Sequence, residues 1–186
     1  MTDLEVVAVV LALIYVVLTI YQQRFCWVVA AASASLYIII FWQVQLYLEA
    51  MLQVFYIVMA AYGWWFWSKE HDGVTIHTWP LRQHLIFCAA LAGATILVGF
   101  AMQRWTNAAA PYVDALTTLA ALLTTWMVAQ KLLENWLYWI VIDVISVGLY
   151  LHRDLTLTAG LFGIYVVLAV LGYRTWRSQW QAQLNA

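Results

Sequence analysis

Residues 135–151 read NWLYWIVIDVISVGLYL, an apolar run with one acidic side chain, Asp143, at its centre. At 100° per residue, five aromatic and polar members of this run fall within an arc of roughly 80° on one helix face. These members are Trp136, Trp139, Asp143, Ser146 and Tyr150. The run therefore predicts a membrane-spanning helix that places a carboxylate below two indole rings.

The whole chain has the composition of a membrane protein. Of its 186 residues, 66% are hydrophobic and 9% are charged, and the mean hydropathy is +0.84. Soluble domains typically contain about 25% charged residues. Because about 20 helical residues cross a bilayer core, we predict seven transmembrane helices in an all-α integral membrane protein. Their predicted ranges are 4–21, 26–41, 47–67, 84–103, 112–129, 136–151 and 157–176.

An internal repeat relates the two ends of the chain. Residues 50–67 and 159–176 share seven identities in 18 positions at an offset of 109, among them Tyr56 with Tyr165 and Gly63 with Gly172. In spans two and six, Ser33 to Tyr37 matches Ser146 to Tyr150 at an offset of 113. One linking helix between two three-helix units gives both units the same membrane orientation. We therefore predict a 3+1+3 parallel repeat, an architecture of secondary carriers whose substrate site lies at the repeat interface.

This repeat and the positive charges set the predicted organisation. Residues 1–67 form the first repeat, 68–110 a polar linker and helix four, 111–176 the second repeat, and 177–186 a cytoplasmic tail. Six basic residues fall on one side of the membrane and two on the other, which predicts an outside N-terminus and a cytoplasmic C-terminus. The six are Arg24, Lys69, Arg82, Lys131, Arg174 and Arg177, and the two are Arg104 and Arg153.

Asp143 is the first candidate site residue, because inserting an aspartate at the centre of a span costs about 3 kcal/mol. Either an interhelical hydrogen bond or a bound substrate could offset that cost. Aromatic faces attract cations, so the stripe could hold a flat cationic or polar-headed molecule. Gln53 and Tyr56 lie on one face of span three, where Gln53 is either a substrate contact or a link between helices. In the register of the repeat, Asp143 corresponds to Ala30.

Several function classes lack support in the sequence. The 8 basic and 9 acidic residues form no basic field for nucleic acid. The histidines at 71, 77 and 84 lack zinc spacing, and no catalytic motif is present, so we predict no enzyme, no metal and no cofactor. Glu134, just before span six, is expected to stabilise its helix N-terminus. A single deep carboxylate favours uncoupled facilitated diffusion, and the alternative of a different class is a channel or membrane sensor.

Three motifs resemble the nicotinamide riboside transporter (PnuC) family of vitamin transporters. They are Leu52-Gln53-x-x-Tyr56 with Tyr62-Gly63-Trp64, the run from Glu134 to Asp143, and the segment from Thr158 to Tyr173. The resemblance covers residues 24–176. It implies a multi-pass facilitator of the bacterial inner membrane, similar in architecture to the SWEET sugar transporters and often trimeric. Substrate would be trapped by cytoplasmic phosphorylation.

The resemblance also implies substrates and site residues. Nicotinamide riboside is the expected substrate, and thiamine is the alternative, since both carry a cationic aromatic ring. The family also has riboflavin-transporting members, but riboflavin is neutral and larger. By motif, Trp136, Trp139 and Asp143 would contact the ligand, and Asn135 and Gln53 would offer hydrogen bonds. Tyr37 and Tyr150, which correspond in the predicted repeat, could act as gates.

Overall fold

Seven α-helices make up the described part of the chain, and all seven are long and apolar enough to cross a membrane. The computed structural model describes residues 3–43, 47–69, 75–106, 110–152, 154 and 156–185, without the side chains of 47–49. The helices are α1 (Asp3–Ile20), α2 (Cys26–Gln43), α3 (Tyr47–Ser68), α4 (Leu81–Trp105), α5 (Pro111–Ala129), α6 (Asn135–His152) and α7 (Thr156–Leu184). The prediction of seven spans is confirmed. The linker residues Glu70 to Val74 and Arg153 lie outside the described residues.

The helix ends differ from the predicted ones at α4 and α7. Helix α4 begins at Leu81, directly after Pro80, whose own backbone is extended. Helix α7 continues to Leu184, eight residues beyond the predicted end at Trp176. The segment after Trp176 is polar but contains no glycine or proline that would stop a helix. At 1.5 Å per residue, 29 residues extend about 43 Å, more than the hydrocarbon core of a bilayer.

The chain forms two compact units, Met1–Thr75 with Ser178–Ala186, and Ile76–Arg177. In the first unit, α2 packs against both α1 and α3. The Ser33 hydroxyl donates to the Ala8 carbonyl oxygen at 2.9 Å, and both residues are buried. Trp27 lies so close to Gly63 that a Cβ there would come within 2.2 Å of the indole. Small residues and a hydroxyl therefore hold these helices together, as is common in membranes.

In the second unit, α5 packs against both α4 and α6. A buried cluster of Leu91, Ala120 and Ile142 joins the three helices. Partly buried side chains surround this cluster, namely Phe87, Leu116, Leu119 and Trp139. Helix α7 meets α6 where Trp136 covers Gly172, and a Cβ on this glycine would come within 2.6 Å of the indole. Helix α6 is therefore in contact with α4, α5 and α7 within this unit.

Many features of the two ends correspond at an offset of 109. Helices α1 and α5 end at Ile20 and Ala129, and α2 and α6 have first and last residues 109 apart. Gln22 and Lys131, in the turns that follow α1 and α5, have φ of 52° and 53°. Left-handed backbone of this kind is uncommon for residues other than glycine. Trp27 packs edge-on against Trp67, with centroids 5.5 Å apart, and Trp136 does the same against Trp176 at 5.5 Å.

The predicted offset of 113 over spans two and six was therefore wrong by one helical turn. A shift of four residues keeps the same helix face, so apolar periodicity cannot distinguish the two alignments. At an offset of 109, Asp143 corresponds to Ala34 and not to Ala30, and Trp136 corresponds to Trp27. Tyr37 then corresponds to Ser146, so Tyr37 and Tyr150 are not equivalent.

The end of the polar linker is held against the turn between α5 and α6. The His77 N–H donates to the Lys131 carbonyl at 3.0 Å, and the Leu133 N–H donates to the His77 carbonyl at 2.9 Å. These bonds form an isolated parallel bridge between His77 and Leu132. The linker therefore enters α4 from a fixed point of the second unit.

Candidate functional site

The predicted stripe lies on the buried face of α6. Trp136, Asp143 and Ser146 are each 3–5% exposed, and Trp139 and Tyr150 are half-buried. Side chains on the opposite face, such as Val141 and Val144, are more than half exposed. The 3.6-residue periodicity therefore identified the inward face of this helix.

Asp143 is buried without a partner in the described part of the structure. Its side chain is 4% exposed, and none of the described residues forms a hydrogen bond or an ion pair with it. The nearest hydroxyl along the stripe, that of Ser146, donates instead to the Ile142 carbonyl at 2.9 Å. Buried polar groups nearly always have hydrogen-bond partners. An unpartnered carboxylate at membrane depth is therefore a candidate ligand contact.

Trp139 lies one helical turn before Asp143 and on the same side of α6. Residues four apart on a helix are surface neighbours, so the indole and the carboxylate are adjacent. The ring packs against the cluster of Leu91, Ala120 and Ile142 while remaining half-buried. The core therefore holds the indole in place and leaves part of its surface accessible.

Trp136 has a packing role that the sequence did not reveal. It is 3% exposed, covers Gly172 and meets the Trp176 ring edge-on at an interplanar angle of 86°. Trp27 makes the same contacts with Gly63 and Trp67 in the first unit. Both indole N–H groups are buried without an acceptor in the described residues. Trp136 is thus part of the close packing between α6 and α7. Its contact with a ligand stays a prediction.

Asn135 opens α6 and is fully buried. Its amide nitrogen donates to the Leu132 carbonyl at 2.6 Å, which fixes the turn before the helix. Its side-chain oxygen has no donor among the described residues. Tyr150, near the other end of α6, stacks on Phe162 of α7 with ring centroids 5.2 Å apart. Both residues therefore have structural contacts within the second unit.

The remaining predicted residues belong to the first unit. Gln53 and Tyr56 are half-buried, one turn apart on α3. Tyr37 on α2 is half-buried and stacks on Phe41, with centroids 5.5 Å apart and planes at 22°. Each predicted residue is thus at least partly buried, but they are divided between two compact units.

Two buried residues were not among those predicted from the sequence. Thr124 on α5 is fully buried, and its hydroxyl is without a partner in the described ranges. The Thr124-Thr125 pair within an apolar helix was the available signal. Trp27 was missed because the incorrect offset hid its correspondence to Trp136. No group of three or more metal-ligating side chains occurs among the residues that the structure describes.

Comparison with known proteins finds a matching family and several similar transporters. The family model described as nicotinamide mononucleotide transporter matches residues 2–178. The chain is 24% identical to the nicotinamide riboside transporter PnuC of Escherichia coli (strain K12), over 77% of this chain and 72% of that protein. It is 25% identical to the riboflavin/roseoflavin transporter RibM of Streptomyces davaonensis, over 67% of this chain and 61% of that protein.

A solved structure shares the fold. The crystal structure of the vitamin B3 transporter PnuC matches with a TM-score of 0.78 at 22% identity, covering 96% of this chain and 82% of that one. Seven spans and these similarities define a multi-pass membrane transporter and not an enzyme. The chain belongs to the nicotinamide mononucleotide transporter family.

Proposed function

We propose that this protein carries nicotinamide riboside across the bacterial inner membrane by facilitated diffusion. The observation that carries the proposal is Asp143, a buried carboxylate without a described partner, one turn from the half-buried Trp139. The nicotinamide ring of the riboside is flat and positively charged. An aromatic face and a carboxylate attract such a ring together. A relative named as a nicotinamide riboside transporter supports the same substrate.

The other predicted residues have supporting roles in this proposal. Asn135 and Gln53 would donate hydrogen bonds to the ribose hydroxyls or accept hydrogen bonds from them. Trp136 and Tyr56 would line the path of the substrate. Tyr37 and Tyr150 are proposed as gates, each already stacked on a phenylalanine. Binding of an uncharged sugar by amide side chains complements binding of a charged ring by Asp143.

Transport needs no coupling ion in this proposal. Flux would follow the substrate gradient, and phosphorylation in the cytoplasm would keep that gradient inward. We further propose an outside N-terminus, a cytoplasmic C-terminus and a homotrimer. The correspondence at an offset of 109 supports a 3+1+3 repeat, with residues 1–67 and 111–176 as its copies.

Thiamine is the second candidate substrate, because it also carries a fixed positive charge on an aromatic ring. The similarity to RibM makes riboflavin a third compound to test. A neutral ring gains nothing from the Asp143 charge, so the carboxylate favours the two cationic vitamins.

The proposal is tested by uptake of labelled nicotinamide riboside into proteoliposomes. We expect saturable uptake that stops at equal concentrations on both sides and that unlabelled nicotinamide riboside inhibits. Stronger inhibition by thiamine or riboflavin would reassign the substrate. Conductance without saturable uptake would instead indicate a channel, and empty liposomes are the control.

A further inference from the structure

Glu134 connects three parts of the second unit. Its Oε1 accepts a hydrogen bond from the Trp79 backbone N–H of the linker at 3.2 Å. The same oxygen lies 3.9 Å from His84 Nε2 of α4. Its own backbone carbonyl accepts hydrogen bonds from the N–H groups of Leu137 and Tyr138 at the start of α6. The carboxylate therefore serves the linker and α4, whereas the sequence predicted only a role at the N-terminus of α6.

A second set of contacts joins α4 to α6 beside Glu134. His84 Nδ1 and the Tyr138 hydroxyl are 2.9 Å apart, and their rings are stacked with centroids 5.9 Å apart. The Tyr138 ring also meets Phe87 at 4.9 Å. We call Trp79, His84, Glu134 and Tyr138 the Glu134 cluster. Together with the His77 bridge, it fixes the first turn of α6 to α4 and to the linker.

This anchoring affects Trp139 and Asp143 because they lie on the same rigid helix. Glu134 immediately precedes α6, and Asp143 follows nine residues later in the same continuous helix. A displacement or rotation at the start of a helix is carried along its length. Tyr138 lies on a different face of α6 from the stripe, so the cluster does not itself form the surface that bears Asp143. Misplacement of a binding group by about 1 Å can cost orders of magnitude in function.

We propose that Glu134 is a positioning residue for substrate binding. By tying α6 to α4 and the linker, it sets the position of Trp139 and Asp143. The inference rests on the proposed function, since it takes the buried face of α6 as the substrate contact. A purely structural Glu134 would change only the stability of the protein, whereas a positioning residue changes the affinity of the folded protein.

The test measures the Kd of nicotinamide riboside by titration calorimetry on the purified full-length protein, beside thermal unfolding without ligand. For Glu134→Ala we expect about a tenfold increase in Kd. Glu134→Gln keeps an oxygen that can accept from the Trp79 N–H, so its Kd should stay within about twofold of wild type. Gln83→Ala, at the exposed neighbour of His84, is the matched control and should bind like wild type.

Two results with the Glu134 variants would overturn the inference. One is a Glu134→Ala protein with wild-type Kd and a lowered melting temperature, and the other is equal weakening by the alanine and glutamine variants. If the alanine variant does not fold, Tyr138→Phe is the alternative, because it removes only the hydroxyl that contacts His84. We expect its Kd to be about threefold higher than that of wild type. An unchanged Kd in that folded variant also contradicts the inference. Absence of binding by the wild-type protein would overturn the proposed function itself, and the inference with it.

Discussion

Asp143 combines a cost to the fold with a proposed use in binding. A buried polar group without a partner typically destabilises a protein by about 1–3 kcal/mol. At the position that corresponds to it at an offset of 109, the first unit has Ala34, which carries no such cost. The charge is therefore a specific feature of α6 and not a requirement of this helix packing. A residue that opposes stability at a buried site is a good candidate for function.

Replacing Asp143 with an apolar side chain should separate these two effects. We expect Asp143→Leu to raise the melting temperature of the ligand-free protein, because the unpartnered carboxylate is removed. The same variant should lose the further increase in melting temperature that nicotinamide riboside gives to wild type. Val144→Ala, on the exposed opposite face of α6, is the control and should keep that increase. A less stable Asp143→Leu protein would indicate that Asp143 has a structural partner.

At the scale of helices, the two Trp–Gly contacts predict where close packing is required. A Cβ at Gly63 or Gly172 would lie 2.2 Å or 2.6 Å from an indole ring. We expect Gly63→Ala and Gly172→Ala each to destabilise the protein by about 1–3 kcal/mol, since the tryptophan must move. Gly93→Ala on α4 meets no atom within 4 Å and should be neutral or slightly stabilising. Thermal unfolding in detergent measures the stability of all three variants. A Gly172→Ala protein as stable as wild type would contradict the close packing of Trp136 on Gly172.

The helices show what the sequence could and could not predict. All seven spans were predictable because unsatisfied backbone groups are excluded from lipid, which makes long apolar runs helical. The inward face of α6 was predictable from periodicity. The alignment of α2 with α6 was not, because a four-residue shift preserves the face. The Glu134 cluster was also unpredictable, since Trp79 and Glu134 are 55 residues apart and only the fold brings them together.

The candidate site was predictable to a similar degree. The sequence singled out Asp143 and Trp139 as candidates because a charge in an apolar run is exceptional. The structure places Asp143 among the buried residues and Trp139 among the half-buried ones, and their contact with a substrate stays a prediction. It could not show that Trp136 is occupied by packing on Gly172 and Trp176. Long-range contacts of this kind depend on which side chains face each other across helices, and no local pattern records them.

At the scale of the whole molecule, the proposed orientation makes a direct prediction. In a variant without Cys26 and Cys88, a cysteine at Arg104 should react with a membrane-impermeant maleimide in intact cells. A cysteine at Arg177 should react only after lysis, because basic residues accumulate on the cytoplasmic side. Both positions are exposed. The reverse labelling pattern would invert the proposed topology.

In the proposed site, Asp143 recognises the positive charge of the substrate ring. The dihydro form of nicotinamide riboside has nearly the same shape but a neutral ring, so comparing the Kd of the two compounds isolates that charge. We predict that wild type prefers the charged form by at least about tenfold, equivalent to about 1.4 kcal/mol, and that Asp143→Asn loses this preference. An equal preference in wild type and Asp143→Asn would contradict this role of Asp143.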